Sequence, residues 1–186
     1  MDMSFVTNLI LASVRMATPL IFVSLAELYS QRAGLTNIGL EGLATIGSLV
    51  GFMVSLLTGS PVLGVLAGML AGILVNMIFA YATISLCAEQ IVYGMAINIF
   101  APALAAFIYR VYFGSGSDLV QVKLMSTLAA TLGIDVIKTK YIASIICGAL
   151  AGMGGAYLTT CYTTTYVDGN IAGRGFIALA AVIFGR

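Results

Sequence analysis

From residue 42 to residue 88 the chain runs for 47 positions without a single Asp, Glu, Lys or Arg. Crossing a bilayer takes about 20 mostly apolar helical residues, so this stretch predicts two spans. The break between them falls at Thr58-Gly59-Ser60-Pro61, where glycine supplies a turn conformation and proline suits the first turn of the next helix. Uncharged runs over 90–109 and 141–167 predict a third and a fourth span. The first 28 residues, apolar over 5–28 but carrying Arg15, Pro19 and Glu27, read as a further, imperfect membrane helix. Residues 171–186 begin one more and stop before they could cross. The pattern predicts an all-α, polytopic membrane helix bundle of about five spans with a broken or re-entrant segment, as a single transmembrane domain over 1–186.

Residues 110–140 are the only polar region of any length, with six of the fifteen charges and Gly114-Ser115-Gly116-Ser117. They are expected in water on one side of the membrane, and Arg110, Lys123, Lys138 and Lys140 point to the cytoplasm by the positive-inside rule. Met1-Asp2-Met3 lacks a basic n-region and no A-x-A-like cleavage site follows the first apolar stretch, so the first helix is expected to stay in the protein.

Composition agrees with this class and removes others. The chain is 61% hydrophobic and 8% charged, against roughly a quarter charged in a soluble domain. A net charge of +1 from scattered residues forms no basic stripe, which argues against nucleic acid as a partner. Histidine is absent, and with it the usual general base near neutral pH, the Ser/His and Cys/His nucleophile pairs and the commonest metal ligand. Cys87, Cys147 and Cys161 have no C-x-x-C spacing and read as small packing residues. No cofactor is indicated.

Lipid is as apolar as leucine, so membrane helices associate through close backbone approach, which small residues at four-residue spacing allow. Gly47 and Gly51 form one such pair, Gly64, Gly68 and Gly72 form two in tandem, and Gly148 with Gly152 forms a fourth. They are expected to be helix-packing positions. Tyrosines near the span ends, among them Tyr109, Tyr141 and Tyr166, stand in for an interfacial belt in a chain without tryptophan.

A polar side chain inside a span marks a functional site by default, and two clusters qualify. Between Glu27 and Glu41 the residues Gly34, Asn37, Gly39 and Gly42 interrupt an apolar course. Asn37 and Glu41 share one face if the segment is helical, while the glycines favour a broken helix of the kind that lines a cavity. The alternative is that Glu27 and Glu41 pair with Arg32 or Arg15 at the membrane surface. In the second cluster Gln90, Gly94, Asn98 and Pro102 form an i, i+4, i+8, i+12 stripe down one helix face. That stripe either packs through interhelical hydrogen bonds or lines a path for a polar solute. Asn37, Glu41, Gln90 and Asn98 are the candidate pathway residues. Threonines 159, 160 and 163–165 read as structural groups near a helix end. No G-x-x-x-x-G-K-[ST] occurs, so the chain is not expected to bind ATP itself or to be an enzyme.

The stretch 17–42, from Ala17-Thr18-Pro19-Leu20 through Glu27-Leu28-Tyr29-Ser30-Gln31-Arg32-Ala33-Gly34-Leu35-Thr36-Asn37-Ile38-Gly39-Leu40-Glu41-Gly42, resembles the first membrane segments of bacterial ABC-importer permeases. The similarity is to the nucleoside and simple-sugar branch of the family that includes ribose and branched-chain amino acid permeases. Residues 89–98, 148–157 and 173–186 agree with it, so the resemblance covers nearly the whole chain. It implies a path for a nucleoside or simple sugar, a cytoplasmic ATPase subunit, a second permease subunit, an extracytoplasmic solute-binding protein and a multi-pass place in the bacterial inner membrane.

Members of that family are commonly longer, with another span and then a cytoplasmic coupling segment before a position like Lys138 and Lys140. Here Lys123 runs almost directly into Ala129-Ala130-Thr131-Leu132-Gly133-Ile134, which looks like the tail of the coupling segment. Ala130 and Gly133 are the residues expected to meet the ATPase. Relative to the family, residues are expected to be missing near 123–130 and after 186. Two functions from other classes compete: an ATP-independent channel or secondary carrier for a small polar solute, and a membrane-embedded enzyme, which lacks a second catalytic group at any recognisable spacing.

Overall fold

The computed structural model describes residues 3–114, 136–162, 165–167, 169 and 171–184. Six helices account for most of them: α1 Met3–Arg32, α2 Leu40–Thr58, α3 Pro61–Ala80, α4 Gln90–Phe113, α5 Val136–Tyr157 and α6 Arg174–Phe184. Five helical stretches are long and apolar enough to cross a membrane: Phe5–Arg32, Leu40–Thr58, Pro61–Ser85, Gln90–Phe113 and Tyr141–Thr160. Two differences from the hydropathy pattern concern ends. α3 runs on as a π-helical turn, Tyr81–Ser85, and α5 starts at Val136, which takes Lys138 and Lys140 into the helix. Basic side chains at a span end snorkel to water and need not terminate a helix.

The ends are set by local chemistry. α1 closes on Gly34 at φ 78°, with Leu35 N–H bonded to the Ser30 carbonyl and Gly34 N–H to that of Gln31. This pair of bonds satisfies two carbonyls that a helix end leaves open. α2 stops at Gly59, φ 66°, and Pro61 opens α3 two residues later, as the 58–61 tetrapeptide predicts.

α2 is the centre of the bundle. Gly47 and Gly51 of α2 meet Gly68 and Gly64 of α3, so those helices are antiparallel. Gly72 meets Gly148 and Gly68 meets Gly152, so α3 and α5 are antiparallel as well. Gly47 also faces Gly152 and Gly51 faces Ala156, which makes α2 and α5 parallel. A Cβ at Gly51 would lie 2.7 Å from that of Ala156, and one at Gly148 would lie 2.5 Å from the Gly72 carbonyl oxygen. No larger residue permits these approaches. All seven glycines of the small-residue pairs lie at the contacts among α2, α3 and α5.

α1 lies antiparallel to α5, with Phe22 against Tyr157 and Ser30 beside Cys147. α4 runs parallel to α2, with Gly42 against Ile97 and Phe52 against Tyr109. Two buried clusters fill the interior. One joins Val23, Ala26, Leu40, Leu43, Ala151 and Ala178, and the other Ile46, Leu49, Phe52, Ala101 and Tyr166. The opposite faces of α3 and α4 are apolar and exposed, as lipid-facing surfaces are, with Leu74 67% and Phe107 65% accessible.

Candidate functional site

Residues 33–39, between α1 and α2, are not helical, although they lie deep beside spanning helices. The backbone here must find partners outside its own segment, because lipid offers none. Three polar side chains supply them. Gln90 accepts the Thr36 N–H through Oε1 at 2.7 Å. Asn37 accepts the Gly39 N–H through its own Oδ1 at 2.9 Å. Asn98 does two tasks: its Oδ1 accepts the Gly42 N–H at 2.8 Å and its Nδ2 donates to the Ile38 carbonyl at 2.7 Å. Between them Gly94 lets α4 approach, since a Cβ there would lie 3.0 Å from the Gly39 nitrogen. The stripe on α4 thus grips the break along its length.

From the other side, Asn37 Nδ2 donates to Asn76 Oδ1 at 2.7 Å and contacts the Cys147 sulfur at 3.6 Å, and Asn76 Nδ2 donates to the Ser144 carbonyl at 2.5 Å. Asn37 and Asn76 are fully buried. One chain of amides therefore ties the break to α3 and α5. Asn98 sits eight residues into α4, about 12 Å from its start at 1.5 Å per residue, well inside a hydrocarbon core of about 30 Å.

Glu41, in the first turn of α2, accepts the Gly173 N–H at 2.7 Å through Oε1 and the Gly175 N–H at 2.6 Å through Oε2. A carboxylate at a helix start satisfies free N–H groups and meets the positive end of the helix dipole. A Cβ at Gly175 would lie 2.6 Å from the Glu41 nitrogen, so α6 begins directly on the first turn of α2. Glu27, the other carboxylate of the first cluster, is buried and accepts from Gln31 Nε2 at 2.7 Å.

A second non-helical stretch reaches the same place. After α5 the chain turns at a π-helical Leu158–Tyr162, and Tyr166 packs on Phe52 and Tyr109 with ring centres 6.1 and 4.9 Å away. By Gly173 it is back at Glu41. Measured along α2 from Phe52 to Glu41, that return covers about 16 Å of the bundle's length. The glycines and polar residues between Glu27 and Glu41 predict a break there and the apolar run from 171 a short final helix, but the return before that helix carries no periodic signal.

The structure brings Asn37, Glu41, Gln90 and Asn98 together around one break, each bonded to backbone. The pattern of polar positions does not single out Asn76, although an amide alone in the apolar 61–80 run is the kind of signal that finds such residues. Thr159 donates to the Ser48 and Ala156 carbonyls and Thr160 to that of Ala156, which are bonds within and between helices. Ala130, Gly133, Thr163 and Thr164 lie outside the described residues.

Residues 9–117 match the model of a family described as branched-chain amino acid transport system / permease component. A nucleoside ABC transporter permease protein, NupC of Lactococcus lactis subsp. cremoris, is 30% identical over 91% of this chain and 73% of its own length. A putative glucose ABC transporter permease protein of Haloferax volcanii, TsgC13, is 29% identical over 99% of this chain and 72% of its own. The guanosine ABC transporter permease protein NupQ of Bacillus subtilis is 29% identical over the whole chain and 78% of its own. No solved structure gives a significant match.

Proposed function

Because the chain belongs to this permease family and is the multi-pass permease component of an ABC importer, we propose that it forms the path of a nucleoside or simple sugar beside the α1–α2 break. The observation that carries the reading is the break itself. α1 and α2 run in opposite directions, so 33–39 is the connection between two spans. Non-helical backbone packed among spanning helices is stable only where protein buries it or water reaches it, and in transporters such backbone lines the cavity. Asn37, Gln90 and Asn98 hold that backbone in shape, and Glu41 holds the start of α6 against it. In this mechanism they are positioning residues. Loosening their grip moves the break relative to α4 and α6, and alternating exposure of the path is such a movement.

The solute follows from the relatives, two of which are named for nucleosides or guanosine and one for glucose. The chain contains no Walker-type motif, so energy comes from a separate cytoplasmic ATPase. A second permease subunit completes the path and an extracytoplasmic binding protein delivers the solute. Ala130 and Gly133 belong to the segment that receives the ATPase's movement.

The test is uptake in vesicles carrying a full-length relative with its ATPase and binding protein, comparing labelled guanosine with labelled glucose. ATP-dependent uptake of one of them, lowered by Asn98→Leu at the matching position with expression unchanged, is expected. Equal uptake without the ATPase supports a channel or carrier instead and ends this proposal.

A further inference from the structure

Where α4 begins, the chain presents polar groups that the hold on the break does not use. Gln90 gives Oε1 to the Thr36 N–H, and its Nε2, the side chain's only donor group, has no partner among the described residues. Glu89, just before α4, is exposed, and its carboxylate has no partner there either. Both side chains, with Thr36, Ala88 and Ile91, line a pocket of about 350 Å³, within the range of about 300–1,000 Å³ for small-molecule sites. One wall of the pocket is the break itself, since Thr36 lies in 33–39. The opposite wall is held in shape by its backbone. Cys87, at φ 49°, is a non-glycine residue in the left-handed conformation. Next to it the Ala88 N–H donates to the Ala82 carbonyl at 3.1 Å, and the Glu89 carbonyl accepts the Tyr93 N–H at 3.2 Å. Left-handed residues with a Cβ persist where the surrounding structure imposes them, and they gather at ligand sites.

The chemistry of this lining selects among ligands. An ionised carboxylate offers acceptors only, and an amide nitrogen offers donors only. A cation would satisfy Glu89 but meet the N–H groups of Gln90, and an anion would do the reverse. A neutral ring with hydroxyls on neighbouring carbons and an ether oxygen suits both: the two hydroxyls donate to the carboxylate oxygens, and a ring or hydroxyl oxygen accepts from Nε2. An acidic side chain on ribose hydroxyls is how dinucleotide-binding folds hold that sugar. The Thr36 hydroxyl can donate or accept, and Ala88 and Ile91 offer carbon to the apolar face of a sugar ring. Ribose and glucose, otherwise different, share the vicinal pair.

We propose that Glu89 and Gln90, with Thr36, form a subsite for the vicinal hydroxyls of a sugar ring, and that Glu89 is its specificity-determining residue. The subsite rests on the proposed nucleoside or simple-sugar path for its class of ligand, so binding and transport are measured separately. For binding, the chain carries nitrogen-15-labelled glutamine in lipid nanodiscs. The Gln90 side-chain amide signal, identified by its loss in Gln90→Leu, is titrated with guanosine, glucose, the 2-deoxy analogue of each, and methylammonium. Guanosine, glucose or both are expected to shift the signal saturably, and the one that does so tells a ribose ligand from a pyranose. The deoxy analogue, which lacks the vicinal pair, is expected to bind about tenfold more weakly, and Glu89→Gln to weaken the parent sugar about as much, the loss of a hydrogen bond to a charged group. Equal binding of a sugar and its deoxy analogue, binding unaltered in Glu89→Gln, a stronger response to methylammonium, or no shift by either sugar overturns the proposal. Uptake by a full-length relative tests the path separately. ATP-dependent uptake without any shift at Gln90 keeps the path and removes this subsite, whereas a saturable shift alongside uptake that needs no ATPase keeps the subsite and removes the importer mechanism.

Discussion

Replacing Gly148 by alanine adds one methyl group at the close contact between α3 and α5. The new carbon would lie 2.5 Å from the Gly72 carbonyl oxygen, 2.8 Å from the Asn76 Cβ and 2.9 Å from the Gly72 carbonyl carbon. Carbon–oxygen contacts ordinarily sit at about 3.3–3.6 Å, so α3 and α5 must part by about 1 Å. Two of the three obstructing atoms are backbone and cannot rotate aside. The third belongs to the residue that donates to the Ser144 carbonyl and accepts from Asn37, so separation also stretches the amide chain behind the break. Overpacking of this kind costs about 1–3 kcal/mol, and the immobile obstruction places the expectation near about 2 kcal/mol. The measurement is the midpoint and free energy of denaturant unfolding in detergent micelles, with Leu70→Ala on the exposed face of α3 as control. Leu70 is 61% accessible, and in a lipid-like medium its truncation is expected to change stability by less than about 0.5 kcal/mol. A Gly148→Ala protein as stable as the unsubstituted one, with the control also unchanged, refutes the close approach of α3 and α5.

Asn98→Leu leaves the Gly42 N–H and the Ile38 carbonyl without their partner and is expected to cost about 1–3 kcal/mol in the same unfolding measurement. Gln90→Leu, whose bond to Thr36 lies in an exposed position, should cost visibly less, and equal losses from the two contradict the assignment. Glu41→Ala removes the acceptor of the Gly173 and Gly175 N–H groups. Capping losses of this type run to about 0.5–2 kcal/mol, so amide exchange across Arg174–Phe184 should quicken, and unchanged exchange shows that α6 is held elsewhere. Gly133→Glu at the matching position of a full-length relative should weaken co-purification of the ATPase while the membrane helices stay folded. Full retention of the ATPase removes this residue from the coupling segment.

Hydropathy and glycine spacing alone located the spans, the turn at 58–61 and the small-residue pairs, because both signals are local. An uncharged run of 47 residues can only enter the bilayer as helix, and a glycine every four residues marks one face whatever lies opposite. The polar interruptions at 34–42 and the stripe on α4 were legible for the same reason, as costly groups in a costly place. Their partners were not. The alternatives for Glu41 lay among nearby arginines, whereas its carboxylate accepts from Gly173 and Gly175, 132 and 134 residues away in sequence. The spacing on α4 leaves helix packing and a solute path equally open for Asn98, and only the tertiary structure shows its amide bonded between Ile38 and Gly42. Hydrogen-bond partners across a bundle depend on which helix faces meet, and that depends on how α2, α3 and α5 interlock at their glycines. The shared direction of α4 and α5 is likewise a property of packed surfaces. Charge and length describe what each segment can cross, but only its neighbours decide which way it runs.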